Sequence, residues 1–187
     1  LVRSRGLGDV YKRQAPPAMQ GTFGWRDAVI GTEDCLTLDI VRPDTDEELP
    51  VVVYFHGGTF VTGASNEKVL QGHLLADATK VVYVSVNFRL GVLGYLDFRS
   101  LGHDCVATPA LLDQILVLEW VRANIANFGG DPNRVTIMGE SAGGAAVVHL
   151  MCSPSARGLF HGAVAQSPPP ASVHSRLQAA MLSLIHI

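Results

Sequence analysis

The sequence predicts an α/β domain built on a mostly parallel sheet, on three observations. Residues 51–55 (V-V-V-Y-F) and 81–86 (V-V-Y-V-S-V) are apolar, β-branched runs without polar alternation, as in strands covered on both faces. Helix signals lie between such runs, as crossover connections require. Each run also ends in a turn that carries glycine. The chain has 187 residues, 48% hydrophobic and 17% charged, enough for one core and too apolar for a disordered chain. No apolar run reaches the roughly 18 residues of a membrane helix. The net charge of −3 excludes a generally basic nucleic-acid binder.

The elements follow in order. Residues 37–41 form a short strand closed by Pro43, and the acidic run 44–48 (D-T-D-E-E) is a solvated loop without calcium-loop spacing. Strand 51–55 runs into His56-Gly57-Gly58, and strand 81–86 into N-F-R-L-G. Residues 109–127 have helical periodicity, with Leu112, Ile115, Leu116, Glu119 and Trp120 at three- and four-residue steps. Pro109 suits the first turn of that helix, and Gly129-Gly130 suits its stop. A strand at 134–138, a helix of small residues over Ala142–Cys152 and a strand at 163–166 complete the pattern. Trp120 and Cys152 are assigned to the core.

The two ends read differently. Residues 9–14 (D-V-Y-K-R-Q) and 182–187 (L-S-L-I-H-I) back-translate to DNA strings that are reverse complements of each other. That DNA resembles the transposon end used to prepare sequencing libraries. The expectation is therefore that 1–14 and 182–187 are adapter-derived, leaving 15–181 as a partial domain. Those residues hold 10 basic and 16 acidic groups.

The chemistry concentrates at Gly139-Glu140-Ser141-Ala142-Gly143, a G-x-S-x-G pentapeptide between a strand and a helix. Glycines on both sides let a sharp turn close and lift the Ser141 hydroxyl clear of the sheet. The following helix N-terminus then points at the reacting carbonyl. His56-Gly57-Gly58-Thr59-Phe60 supplies a second strand-end loop whose backbone N–H groups suit a developing oxyanion.

Six blocks, E-D-C-L-T-L-D-I, V-V-V-Y-F-H-G-G-T-F, V-S-V-N-F-R-L-G-V-L-G-Y, L-L-D-Q, F-G-G-D-P-N-R-V-T-I and G-E-S-A-G-G, occur in family order over about residues 32–167. Together they resemble the carboxylesterase/cholinesterase family, the type-B carboxylesterases of α/β-hydrolase fold. The resemblance implies that Ser141 is the nucleophile and that the amides of Gly58, Thr59 and Ala142 bind the oxyanion. It makes Gly139, Glu140 and Gly143 support of the elbow, with Glu140 as the acidic neighbour. It places Glu33, Arg89 and Asp113 at structural ion-pair positions, Arg89–Asp113 being the expected pair. It assigns Cys35 to a disulfide with an upstream cysteine, as in a secreted or lumenal protein. A small carboxylic ester is the implied substrate, with no cofactor, metal or nucleic acid. Trp25 stands either where cholinesterases stack a quaternary ammonium or in an upstream core block.

Thr59 replaces the third glycine usual in active members, A-T-P-A stands where G-N-x-G is usual, Q-S-P-P-P stands at 166–170 where Q-S-G is usual, and the resemblance fades beyond it. The triad order of this fold is Ser, then Asp or Glu, then His. After Ser141 there is no Asp or Glu, and His149, His161 and His174 lack an acid to orient them. His149 and His161 are read as helix and helix-end residues, and His56 as structural. The expectation is a serine ester hydrolase when full length, with this chain inactive. The other class is a non-catalytic adhesion or signalling ectodomain on the same fold, for which Thr59 is the support.

Overall fold

A computed structural model describes residues 16–21, 28–102, 104–169, 175, 177, 178 and 181. Trp25, His174 and the adapter-like ends lie outside them. In chain order the strands and helices are β1 (Gln20–Gly21), β2 (Val29–Ile30), β3 (Leu38–Val41), β4 (Leu49–Phe55), α1 (His73–Thr79), β5 (Val82–Val86), α2 (Gly91–Tyr95), α3 (Pro109–Asn124), β6 (Gly130–Glu140), α4 (Ala142–Cys152) and β7 (Gly162–Gln166). Among the described residues the main sheet has the order β3-β5-β4-β6-β7. Only β3 runs antiparallel to its neighbour; the other pairings are parallel. β1 and β2 form a separate antiparallel ribbon.

Apolar residues on both faces of β4 and β5 put this sheet between two layers. One face carries Val51, Val53, Phe55, Val84 and Ile137 into a core completed by Leu118, Val121 and Ile125. The other carries Tyr54 and Tyr83, their rings tilted by 30° with centroids 5.9 Å apart, against Ala76 of α1. All five residues of β5 are buried. In β7, by contrast, four of five are exposed, with Val164 at 41%.

The structure corrects several boundaries. Helix 109–127 stops at Asn124, and its last turn tightens into a 3-10 turn over Ile125–Phe128, ended by Gly129 at φ 73°. Gly130 opens β6 instead of closing the helix. Strand 134–138 extends to Gly130–Glu140 because Gly130 pairs with Leu49 across a register irregularity. Seven-residue α1 and five-residue α2 are too short to show a helical period and were not foreseen. Cys152 is exposed, not a core residue, because it shares the outward stripe of α4 with Val148 and Met151. Trp120 is half-buried, packing on Phe128 at 5.9 Å at the border of the core.

Candidate active site

Parallel register levels the ends of β4 and β6. Phe55 is paired with Gly139, so the residues that follow each strand meet. Ser141 sits between β6 and α4 with φ 55° and ψ −119°, a backbone conformation that an L-residue adopts only under constraint. The constraint is steric and local. A Cβ at Gly143 would overlap the Phe55 carbonyl oxygen, and one at Gly139 would stand 2.9 Å from that oxygen while overlapping Gly143. A Cβ at Gly144 would stand 2.6 Å from the Gln166 carbonyl oxygen. The Ser141 N–H donates to that Gln166 oxygen at 2.9 Å, and the Ser141 carbonyl accepts from Ala145 at 3.0 Å. Ala142 opens the helix, so the positive end of α4 lies beside the serine.

The loop after β4 lies against this elbow. A Cβ at Gly57 would be 3.5 Å from the Ser141 Cβ and 3.2 Å from Glu140 Oε2. Gly58, Thr59 and Phe60 follow with φ of 110°, 53° and 66°, three successive residues with positive φ. The Gly58 carbonyl accepts from the N–H groups of Val61 and Thr62, both at 3.0 Å, and from Thr59 Oγ1 at 2.8 Å. The N–H groups of Gly58, Thr59 and Ala142 donate to no acceptor among the described residues. Three backbone N–H groups of two neighbouring segments thus have no acceptor among the described residues.

His56, only 2% exposed, stacks on Phe88 with centroids 4.6 Å apart. Its Nδ1 lies 2.7 Å from the Gly57 carbonyl oxygen, an acceptor only, so Nδ1 carries the proton. Its Nε2 is buried without a partner among the described residues. Burial pushes the imidazole pKa below its ordinary value, the hydrogen bond to Gly57 opposing this more weakly.

Arg89 and Asp113 form a two-pronged ion pair, Nε to Oδ2 at 2.8 Å and Nη2 to Oδ1 at 2.6 Å. The Asp113 side chain is 3% exposed, and the Arg89 N–H also donates to it at 3.1 Å. Its hydrogen bonds raise the Arg89 pKa. Glu33, Arg89 and Cys35 line one cavity of about 340 Å³, and Glu33 joins no ion pair among the described residues. Cys35 is a buried free thiol whose pKa is raised, first by burial and then by Asp113. His161 accepts the Val135 N–H through Nδ1 at 3.2 Å, five residues before the end of β6, so it belongs to the far end of the sheet from Ser141. His149 is half-buried on α4, its pKa lowered by burial. Among the described residues no His, Cys, Asp and Glu cluster could hold a metal ion, and no helix is long and apolar enough to cross a membrane.

Some residues that shape the site carry no sequence signal. The Gln20 carboxamide accepts the Gly63 N–H at 2.8 Å and donates to the Gly63 carbonyl at 2.9 Å. Ser65 is fixed from two sides, its N–H to Asn87 Oδ1 at 2.8 Å and its hydroxyl to Asp39 Oδ2 at 2.6 Å. These partners lie tens of residues from the loop, and no local pattern ties them to it.

Known proteins resemble this chain in sequence and in fold. The sequence model of the Carboxylesterase family matches residues 9–181. The chain is 44% identical over 137 residues to para-nitrobenzyl esterase of Bacillus subtilis (strain 168), covering 73% of this chain and 28% of that protein. It is 46% identical over 139 residues to cocaine esterase of Homo sapiens, covering 73% of this chain and 24% of that one. Acetylcholinesterase 4 of Caenorhabditis briggsae is 40% identical over 148 residues, 79% of this chain and 24% of its own length. A solved thermophilic PNB esterase superposes with a TM-score of 0.82 at 36% identity, covering 92% of this chain and 38% of that structure. The chain thus spans about a quarter of the curated relatives it matches and carries part of an α/β-hydrolase fold. With its serine elbow and facing glycine loop matched over most of its length, the chain belongs to the carboxylesterase family.

Proposed function

We propose that the full-length protein is a serine carboxylic ester hydrolase working through an acyl-enzyme on Ser141. The observation that carries this is the strained Ser141 backbone, φ 55° and ψ −119°, held beside three undirected backbone N–H groups. In this reading the Ser141 hydroxyl attacks the ester carbonyl carbon. A histidine beyond this chain takes the hydroxyl proton, and an acidic residue beyond it orients that histidine. The N–H groups of Gly58, Thr59 and Ala142 receive the charge that moves onto the carbonyl oxygen. The alcohol leaves with the proton, and water then splits the acyl-serine by the reverse sequence of proton transfers.

Thr59 is compatible with this reading, because its side chain is tied back to the Gly58 carbonyl and its N–H stays undirected. A strained serine has no evident use in a non-catalytic ectodomain, which favours the hydrolase. For the 187-residue chain itself we propose no turnover, since no Asp or Glu follows Ser141.

The test is expression of the full reading frame with a fluorogenic ester and an organophosphonate probe. Turnover, stoichiometric labelling of Ser141 and loss of both in Ser141→Ala are expected. A folded full-length protein that neither turns over esters nor takes the label at Ser141 would overturn the reading.

A further inference from the structure

The loop that carries the Gly58 and Thr59 amides is braced from behind by a side chain remote in sequence. Gln20 lies in β1, outside the main sheet, 43 positions before Gly63. Its carboxamide meets the Gly63 peptide as a second strand would, one bond in each direction at 2.8 and 2.9 Å. Its Nε2 also donates to the Ala18 carbonyl at 3.1 Å, so all but one lone pair of the group is engaged and the amide has one orientation. Gly63 in turn sits on the loop's pivot. A Cβ there would lie 2.7 Å from both the Gly57 carbonyl oxygen and His56 Cε1, and would overlap His56 Nδ1. Those are the atoms whose mutual hydrogen bond sets the peptide just before Gly58. Buried His56 cannot retreat, because Phe88 stacks on its ring.

We propose that Gln20 is a positioning residue for the oxyanion-binding loop: by clamping Gly63 against His56 and Gly57, it fixes where the Gly58 and Thr59 N–H groups point. This rests on the ester-hydrolase reading above. Gln20 touches no reacting atom and acts through Gly63. Its contribution belongs to the charged transition state, since the neutral ester needs those amides far less than the oxyanion does.

The test compares Gln20→Met, which keeps the length and loses both polar atoms, with Gln20→Glu in the full-length protein. Gln20→Glu retains the acceptor for Gly63 N–H but sets a carboxylate against the Gly63 and Ala18 carbonyls. Expected for Gln20→Met is a fall in kcat of about tenfold with KM unchanged, the signature of donors displaced by a fraction of an ångström. Gln20→Glu falls further. Amide hydrogen exchange adds a readout without substrate: the Val61 and Thr62 N–H groups, bound to the Gly58 carbonyl, exchange faster in both variants while the sheet does not change.

Unchanged kcat with unchanged exchange in residues 57–63 would overturn the proposal, as would a rise in KM alone. Exchange raised throughout the chain would also overturn it, making Gln20 a support of the whole fold. Should the unsubstituted full-length protein prove inert to esters, the hydrolase reading fails by itself. The exchange comparison then still decides whether Gln20 holds the loop.

Discussion

The turn after β6 and the loop after β4 lie side by side at the same end of the sheet, yet they are held by different means. The elbow at Ser141 is shaped by what is missing: Gly139, Gly143 and Gly144 each occupy a place where a Cβ would strike backbone. The loop at 57–65 has excluded positions of its own at Gly58 and Gly63, but is held in addition by side chains at Gln20, Asp39, Asn87 and His56. Exclusion gives a rigid turn from a few glycines close in sequence, set against the Phe55 and Gln166 carbonyls of the neighbouring strands. Bracing gives a turn whose geometry depends on distant parts of the chain, and so can be changed from outside it.

That contrast can be broken most severely at the elbow. Gly143→Ala places a methyl group on the Phe55 carbonyl oxygen, and the full-length protein is expected to lose about 4 kcal/mol or to fail to fold, as read by denaturant unfolding. A tolerated alanine there would show that the elbow is not held by exclusion. At the loop, Asn87→Ala leaves the buried Ser65 N–H without its acceptor, for an expected loss of about 2 kcal/mol in the same experiment. A loss no larger than at an exposed residue would mean that the brace at Ser65 is dispensable.

Acid sharpens the comparison, because one of the loop's braces, His56, is a buried titrating group. The folded-state pKa of His56 lies below its ordinary 6.5, so the unfolded chain takes up the proton more readily. Stability is therefore complete above pH 6.5 and falls as the pH drops through that value toward the folded pKa. The shift at His149 has the same sign and adds to the slope. Melting temperature measured from pH 7.5 to 5 should depend less on pH in His56→Gln, and least in His56→Gln with His149→Gln. An undiminished slope in the double variant would place the acid sensitivity elsewhere.

The smallest effects concern strain. Ser141→Gly should raise stability by about 1 kcal/mol, since glycine adopts the observed angles freely while losing more entropy on folding. Thr59→Gly, at φ 53°, should gain less, about 0.5 kcal/mol. Thermal denaturation of both variants checks the order, and a larger gain at Thr59 would move the main store of strain into the loop.

What the sequence made legible follows the same division. Glycines around a serine are steric statements confined to a few positions, so the elbow, its helix over Ala142–Cys152 and the strand before it could be read directly. The bracing residues could not. Gln20 and Gly63 are 43 positions apart and neither forms a pattern with its neighbours. Burial was legible only where the neighbouring layers are present. V-Y-V-S-V of β5 is buried throughout, but G-A-V-A-Q of β7, with an apolar centre of its own, lies open at the edge of the described sheet. Cys152 misled for a related reason: composition marks α4 as apolar, while its position on the helix turns it outward.

The bond from Ser141 N–H to the Gln166 carbonyl gives that edge strand a use as a gauge. The Ser141 amide is tied to β7, not to its own helix, and β7 is the least covered strand of the sheet. Each fraying of β7 at Gln166 must release that amide to solvent. The exchange rate of one proton at Ser141 therefore counts how often the border of the sheet lets go, and any segment that pairs with β7 would be registered at the serine as a slower clock.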